Sequence, residues 1–285
     1  MVNKVLITGA SGGLADSIIN SFLKKGIEVI ATSRSVEGVR KREWFQKVKY
    51  IPFDFASPSG NNLFEFFERP DAVVHLAWDK LKEYKSSVHE EEVLEQNKHF
   101  LTNLITNGLP KLVCAGTCYE YGLRAGCLGE EDEAAPVVSY AKGKNMLRIY
   151  LEDLRKTTPF YFNWVRIFNV FSPGREGSNL FSQLTKAIEE KQPVFNMSGG
   201  EQVRDYLKPE ELADIFLRIT RQNQVQGIIN CCSGKPIKLK DLVLDYIREK
   251  GSDIKLNLGF YPYLAHEPME QWGSVVKLKS IPAQP

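Results

Sequence analysis

Residues 4–17 have the sequence KVLITGASGGLADS, an apolar run followed by a glycine-rich turn and the start of an amphipathic segment. Gly9, Gly12 and Ala15 are spaced three apart directly after that run. In a strand–turn–helix unit, these positions permit a tight turn, close approach of a pyrophosphate to the backbone, and close packing of helix on strand. The free N–H groups at the helix N-terminus would then face the phosphates. No Gly-Lys-Ser/Thr follows, so the pattern predicts a dinucleotide site and not a P-loop.

The first 170 residues alternate short apolar runs with longer amphipathic segments. Runs that predict strands are KVLITGA, EVIATS, VKYIPFDF, DAVVHLAW, PKLVCAGT and YFNWVRIFNV. Helices are expected between them, among them 83–107 and 138–156. Nearly continuous apolar strands that alternate with helices are typical of parallel strands covered on both faces. The sequence therefore predicts an α/β fold of the Rossmann type, with a doubly wound parallel sheet.

The pattern changes after residue 171. A Gly/Pro/Ser-rich stretch, SPGREGSN, is followed by shorter elements and by a helix near 209–221. We predict an NAD(P)-binding Rossmann domain at 1–170 and a smaller substrate-binding lobe at 171–285. Segments at about 204–230 are expected to return to the Rossmann sheet.

Composition excludes several functional classes. The chain has 285 residues, 43% hydrophobic and 25% charged, with a formal net charge of +2, which indicates a soluble globular protein. No block of basic residues indicates nucleic-acid binding, and no apolar run approaches the ~20 residues that span a membrane. No signal peptide is evident, so we expect a cytoplasmic protein. The five cysteines lack metal-ligand spacing, and no metal site is predicted.

The end of the second strand, ATSRS, bears on the choice of cofactor. Sites that prefer NAD usually carry an acid here, which bonds the ribose 2′-hydroxyl. Ser33, Arg34 and Ser35 suit a 2′-phosphate better. We therefore favour NADP(H), with NAD(H) possible. Glu37 is the nearest acid in the sequence.

The stretch SYAKGKNML places Tyr140 and Lys144 four residues apart, hence on one face of a helix. An ammonium beside a phenol is expected to lower its pKa and so to form an acid/base pair. Thr117, at the end of the fifth strand, could bond a substrate oxygen beside that phenol. A structural role is the alternative, because Tyr-x-x-x-Lys often occurs by chance.

Several motifs in this order resemble the extended branch of the short-chain dehydrogenase/reductase family, in the group that acts on nucleotide sugars. They are TGASGGLA, DAVVHLAW, TCYEYG, YAKGK, VRIFNVFSPG, SNLFSQLTKAI, GGEQVRDYLKPEELA and GIINCCSGKPIKLKDLV. The resemblance runs over nearly the whole chain. It departs at the end, where the family usually continues beyond the region of KLK.

The resemblance implies roles for individual residues. The catalytic trio would be Thr117, Tyr140 and Lys144. Cofactor contacts would come from Gly9, Ser11, Gly12, Gly13, Leu14, Ser33, Arg34, Asp54, Phe55, Leu76, Ala77, Trp78, Asn97, Tyr140 and Lys144. Substrate contacts would come from Thr117, Asn169, Asn179, Leu180 and Arg204, with Arg204 suited to a diphosphate. An ion pair between Arg204 and Asp205 is the structural alternative.

The residues after Thr117 reduce the number of reactions that the protein could catalyse. Dehydratases of the family carry Asp-Glu there, whereas this chain has Cys118 and Tyr119. Members that epimerise through a cysteine carry it two residues after the Ser/Thr. Cys118 is one residue after it, and would point elsewhere if the chain is extended.

Three functions remain open. The first is an NADPH-dependent 4-ketoreductase of a nucleotide-linked 4-keto-6-deoxyhexose. The second is a nucleotide-sugar 4-epimerase with tightly bound NAD. The third is a family member that binds cofactor or sugar without turnover. The resemblance also implies a homodimer through the helices at 83–107 and 138–156.

Overall fold

The computed structural model describes residues 2–57, 62–171 and 179–282. Most of the predicted SPGREGSN loop lies outside these residues. The strands are β1 (Lys4–Thr8), β2 (Glu28–Thr32), β3 (Lys49–Tyr50), β4 (Ala72–His75), β5 (Lys111–Thr117), β6 (Gly126–Leu128), β7 (Tyr161–Ile167), β8 (Asn169–Val170), β9 (Val194–Asn196), β10 (Val203–Leu207), β11 (Gly227–Cys231), β12 (Pro236–Lys238), β13 (Lys255–Asn257) and β14 (Glu270–Gly273). The α-helices are α1 (Ala15–Lys24), α2 (Leu63–Phe66), α3 (Glu92–Thr106), α4 (Ser139–Thr157), α5 (Leu180–Glu189), α6 (Pro209–Thr220), α7 (Leu239–Glu249) and α8 (Val276–Lys279).

Seven parallel strands form the main sheet in the order β3-β2-β1-β4-β5-β7-β11. Helices α1 and α6 pack together on one face, and α3 and α4 pack together on the other. Buried apolar side chains of the sheet pack against those of both helix layers, as the nearly continuous apolar strands predict. The predicted Rossmann-type doubly wound sheet is thus confirmed.

The C-terminal part adds smaller layers. β12, β10, β14 and β6 form a second sheet, to which β8 attaches through β10, and β9 pairs with β13. Helices α5 and α7 share a separate apolar cluster with β9. β11 joins the main sheet beside β7, whereas β10 does not. The division into domains at residue 170 stays a prediction.

The structure corrects three predicted elements. The helix expected at 83–107 begins only at Glu92, after two 3₁₀ turns at Leu81–Glu83 and Ser87–His89. The buried His89 ring explains this, because it contacts the Trp78 indole N–H and the Glu83 carbonyl and holds the chain in those turns.

Two predicted strands are also shorter than expected. The third keeps only Lys49–Tyr50, although the Ile51 and Phe53 N–H groups still donate to the Ala31 and Ser33 carbonyls, each at 3.0 Å. The sixth ends at Ile167, and Asn169–Val170 pairs with the second sheet instead. Among the described residues, no helix combines the length and hydropathy needed to cross a membrane.

Candidate active site

A cavity of about 440 Å³ opens at the carboxyl ends of the central strands. β1 pairs with both β2 and β4, so the strand order reverses here, the usual position of a dinucleotide in such sheets. The predicted cofactor and catalytic residues all line it: Gly9, Ser11, Gly12, Gly13, Leu14, Ser33, Arg34, Asp54, Phe55, Leu76, Ala77, Trp78, Asn97, Thr117, Tyr140 and Lys144. The tertiary structure therefore brings these two predicted sets together.

The glycine turn between β1 and α1 has the shape of a phosphate cradle. Gly9 has φ +70°, and a Cβ at this position would lie 2.8 Å from the Ala77 backbone nitrogen. Gly12 N–H closes the turn on the Gly9 carbonyl at 2.8 Å. The N-cap residue of α1, Leu14, has no polar side chain to accept from the first N–H groups of the helix. These features fit the pyrophosphate of a dinucleotide.

The adenosine end is flanked by β2 and by the chain after β3. The Ser33 hydroxyl contacts the Tyr50 hydroxyl at 2.9 Å. Arg34 forms two hydrogen bonds with Asp79, at 2.7 and 3.2 Å. Phe55 lies in the wall, with its ring stacked on Phe100 at 4.0 Å.

A buried hydrogen-bond chain supports the floor of the cavity. His75 Nε2 donates to Asn97 Oδ1 at 2.7 Å, because that amide oxygen can only accept. Its Nδ1 therefore accepts from the Thr8 hydroxyl at 3.0 Å. Burial and the Lys144 ammonium lower the pKa of His75 to about 3, so the ring is neutral. Asn97 thus fixes the end of β4 beneath the cofactor position.

Tyr140 and Thr117 both line the cavity, and the Thr117 hydroxyl is near enough to affect the pKa of the Tyr140 phenol. Burial and the Glu120 carboxylate raise the pKa of Tyr140 well above its usual range, which outweighs the lowering effect of the Thr117 hydroxyl. The predicted lowering of this pKa by Lys144 is wrong. The phenol is therefore neutral at physiological pH and can donate a proton.

The position of the Lys144 ammonium explains why it does not lower the pKa of Tyr140. It donates to the Ala115 carbonyl at 2.7 Å and lies 4.3 Å from the centre of the Trp78 ring. Burial lowers the pKa of Lys144 to about 8. The bond to Ala115 uses one of the three N–H donors of the ammonium. The other two could donate to the ribose of a bound dinucleotide.

The start of α4 lies close to the 3₁₀ turn that ends at His89. A Cβ on Gly143 would lie 2.2 Å from the His89 carbonyl oxygen. The Tyr140 N–H donates to the Tyr84 carbonyl at 3.0 Å. Only glycine permits this approach, which brings Tyr140 and Lys144 to the cavity wall.

Glu120 is a buried residue that the sequence analysis missed. Its carboxylate accepts from the Thr117 backbone N–H and the Trp164 indole N–H, both at 2.9 Å. It also accepts from Arg166 Nε at 2.9 Å, with both side chains almost fully buried. The Thr-x-x-Glu spacing is the signature of a capping box, and could have identified it.

Cys118 and Tyr119 occupy a 3₁₀ turn, Cys118–Tyr121, and not the extended chain that we assumed. Cys118 is buried among apolar residues, and burial raises the pKa of its thiol to about 12. Tyr119 lines the cavity, and its hydroxyl donates to Glu267 at 3.2 Å.

The predicted substrate residues Asn169, Asn179, Leu180 and Arg204 do not line this cavity. The Asn179 side chain caps α5, and Asn169 donates to the Asp205 carbonyl at 3.1 Å. Arg204 pairs with Glu267 at 3.2 Å. The alternative Arg204–Asp205 pair is wrong, since Asp205 accepts from the Ser233 and Gly234 N–H groups.

Comparison with known proteins identifies the family of the chain. Residues 5–232 match the NAD dependent epimerase/dehydratase family. The chain belongs to this family. Its membership confirms the family predicted from the motifs, and confirms that the protein is an NAD(P)-dependent enzyme.

Two curated relatives of this chain are oxidoreductases of nucleotide sugars. The chain is 27% identical to dTDP-6-deoxy-L-talose 4-dehydrogenase (NAD(+)) of Aggregatibacter actinomycetemcomitans, over 95% of the chain and 99% of the relative. It is 25% identical to dTDP-4-dehydro-6-deoxyglucose reductase of Escherichia coli over 85% of the chain and 80% of the relative.

A solved structure shares the fold. The UDP-N-acetylglucosamine 4-epimerase from Methanobrevibacter ruminantium M1, in complex with UDP-N-acetylmuramic acid, superimposes with a TM-score of 0.86 at 19% identity. The match covers 100% of this chain and 93% of that one.

Proposed function

We propose that this protein is an NADPH-dependent 4-ketoreductase of a nucleotide-linked 4-keto-6-deoxyhexose. The observation that carries the proposal is the neutral Tyr140 phenol, which lines a cavity shaped for a dinucleotide together with Thr117 and Lys144. A reduction at C4 needs a proton donor at this place, and a phenol whose pKa is raised is protonated and ready to donate.

A bound NADPH would supply the hydride for C4 of the sugar. Thr117 and Tyr140 orient the C4 carbonyl by hydrogen bonds, and Tyr140 gives its proton to the oxygen as the alcohol forms. Lys144 holds the ribose and supplies positive charge near the phenolate that is left. Gly9 and the N-terminus of α1 would hold the pyrophosphate, since Gly9 permits close approach and the first N–H groups of the helix are oriented for an anion.

The names of the two relatives support this reaction class, since both act at the 4-position of a dTDP-linked deoxysugar. Cys118 and Tyr119 replace the carboxylates of dehydratases, and the buried Cys118 thiol is unsuited to proton transfer. Arg34 favours NADPH over NADH, because a guanidinium pairs well with a 2′-phosphate.

A 4-epimerase with tightly bound NAD is the second candidate. A UDP-glucose 4-epimerase of Streptococcus mutans is 22% identical to this protein, over a match that covers 98% of the chain. Such an enzyme uses the same Tyr140 and Lys144, but it oxidises and re-reduces C4 with no net consumption of cofactor.

We assign the substrate end to Arg204 for the diphosphate and to Asn169, Asn179 and Leu180 for the sugar and nucleotide. Each polar member of this set has a protein partner in the structure, which the substrate would share or replace. We further expect a homodimer through α3 and α4. The apolar residues Val93, Leu94, Leu101 and Leu104 of α3 are buried in the monomer core, so Met146 and Ile149 on α4 are the exposed candidates.

The test combines purified protein, NADPH and a set of 4-keto-6-deoxyhexoses linked to dTDP, CDP, GDP or UDP. A reductase consumes NADPH in equal amount to the alcohol formed, as followed by nicotinamide absorbance. An epimerase shows no net consumption and interconverts two 4-hydroxy sugars.

Three variants test the roles of Thr117, Tyr140 and Lys144. Tyr140→Phe should keep the fold and cofactor binding while losing about 10²–10⁴ in turnover. Lys144→Met should also weaken cofactor binding, and Thr117→Val should slow turnover less. An unchanged rate for Tyr140→Phe on the substrate that works would refute the acid/base assignment.

A further inference from the structure

The end of β2 carries no acidic residue, but the carboxylate of Asp79 reaches it from another part of the cavity wall. Asp79, just after β4, binds Arg34, just after β2, through two hydrogen bonds of 2.7 and 3.2 Å. Both residues line the same cavity. Because β1 lies between β2 and β4, the pair spans the carboxyl end of β1.

Position determines which part of a dinucleotide this pair meets. The end of β2 is where the adenosine ribose binds in sheets of this kind, and its 2′ substituent is read there. A carboxylate at this place accepts a hydrogen bond from a 2′-hydroxyl, whereas a guanidinium pairs with a 2′-phosphate. Arg34 and Asp79 therefore offer one group for each cofactor.

Glu37 does not fill this role. It is exposed, and its pKa is lowered by the neighbouring Ser35 side chain and, to a smaller extent, by the Arg40 charge. Arg34 is not among the causes of that shift, and Glu37 does not line the cavity. The carboxylate that Arg34 binds is thus that of Asp79, which follows β4 and lies 45 residues after Arg34.

We infer that Asp79 sets the cofactor preference by opposing Arg34. A 2′-phosphate must separate the pair and then lies beside a like-charged carboxylate, whereas a 2′-hydroxyl can donate to Asp79 while the pair stays formed. The pair is partly exposed, with side-chain exposures of 64% and 38%. Opening it therefore costs less than about fivefold in affinity, and both cofactors bind, with NADPH preferred only modestly.

Asp79→Asn is a conservative test of this inference. Asp79 Oδ1 also accepts from the Lys80 N–H at 2.8 Å, and Lys80 has φ +56°. An asparagine keeps that oxygen and so keeps the turn, while it removes the charge. The control is Asp153→Asn, which removes one carboxylate from an exposed pair with Lys156 on α4.

The full-length protein is titrated with NADPH and with NADH, using quenching of tryptophan fluorescence, since Trp78 lines the cavity. Asp79→Asn should tighten NADPH by about three- to tenfold and leave NADH unchanged or weaker, as expected when one partly screened like charge is removed. Arg34→Ala should weaken NADPH alone, and Asp153→Asn should leave the ratio of the two dissociation constants unchanged.

An unchanged ratio in Asp79→Asn, or an equal change in Asp153→Asn, would overturn the inference. The inference rests on the proposed binding of NAD(P)H here, but not on the proposed substrate. The titration contains no sugar, so a failure of the reductase assay leaves its result intact. If the unmodified protein binds neither nucleotide, the proposed function fails and this inference fails with it.

Discussion

The buried Glu120–Arg166 pair should be essential for stability, and Glu120→Gln is the change that tests it. Glutamine keeps an oxygen that can accept from the Thr117 and Trp164 N–H groups. Its amide N–H₂ would instead face the Arg166 Nε–H, so that two donors meet. The Arg166 cation would then lie in the core without a counter-charge.

The structure sets the size of the effect. The two side chains are 0% and 1% exposed, so water cannot replace the lost carboxylate. Arg166 Nη1 already lacks a hydrogen-bond partner among the described residues, so the guanidinium depends on its bond to Glu120. Removing one member of such a pair costs about 3–5 kcal/mol, a large share of the roughly 5–15 kcal/mol that stabilises a domain.

Urea unfolding followed by circular dichroism measures this cost. With a slope of about 2–3 kcal/mol per molar, the midpoint should fall by about 1–2 M. The matched control is Glu152→Gln, which alters the partly exposed pair of Glu152 with Arg148 and should cost less than about 1 kcal/mol. The double variant Glu120→Gln with Arg166→Met should recover about 2–3 kcal/mol of the sum of the two single changes.

Equal losses for Glu120→Gln and Glu152→Gln would refute the reasoning, since they would show that burial adds nothing to the pair. A strictly additive double variant would contradict it as well. Turnover should fall with stability, because the Glu120 carboxylate fixes the backbone at Thr117.

Two further predictions concern pH and assembly. Since burial lowers the pKa of Lys144 to about 8, its protonated fraction falls as pH rises through that value, and NADPH should bind more weakly at about pH 9 than at about pH 7. Titrations at the two pH values check this, Lys144→Met should flatten the difference, and an equal affinity in the unmodified protein would contradict the prediction. Ile149→Glu should dissociate the expected dimer, because Ile149 is 45% exposed on α4 while the core is unaffected. Light scattering measures the mass, Lys142→Ala on the same helix is the control, and a monomeric unmodified protein would contradict the dimer.

Local patterns in the sequence determined the fold class and much of the site. The strand–glycine–helix unit at residues 4–17 predicts the phosphate cradle, because each glycine role depends on nearby backbone. Tyr140 and Lys144 share a face by helical spacing alone, and the structure places both at the cavity with Thr117. Apart from Thr117, the residues carried over for the substrate lie outside this cavity, where their neighbours come from distant parts of the chain.

Only the tertiary structure decided the charges around the site. Asp79 meets Arg34 across 45 positions, Glu120 meets Arg166 across 46, and Glu267 meets Arg204 across 63. No local pattern specifies such partners, because they follow from the order and register of the strands. The direction of the pKa shift of Tyr140 is decided in the same way: burial opposes ionisation, and burial depends on every element that packs around the ring.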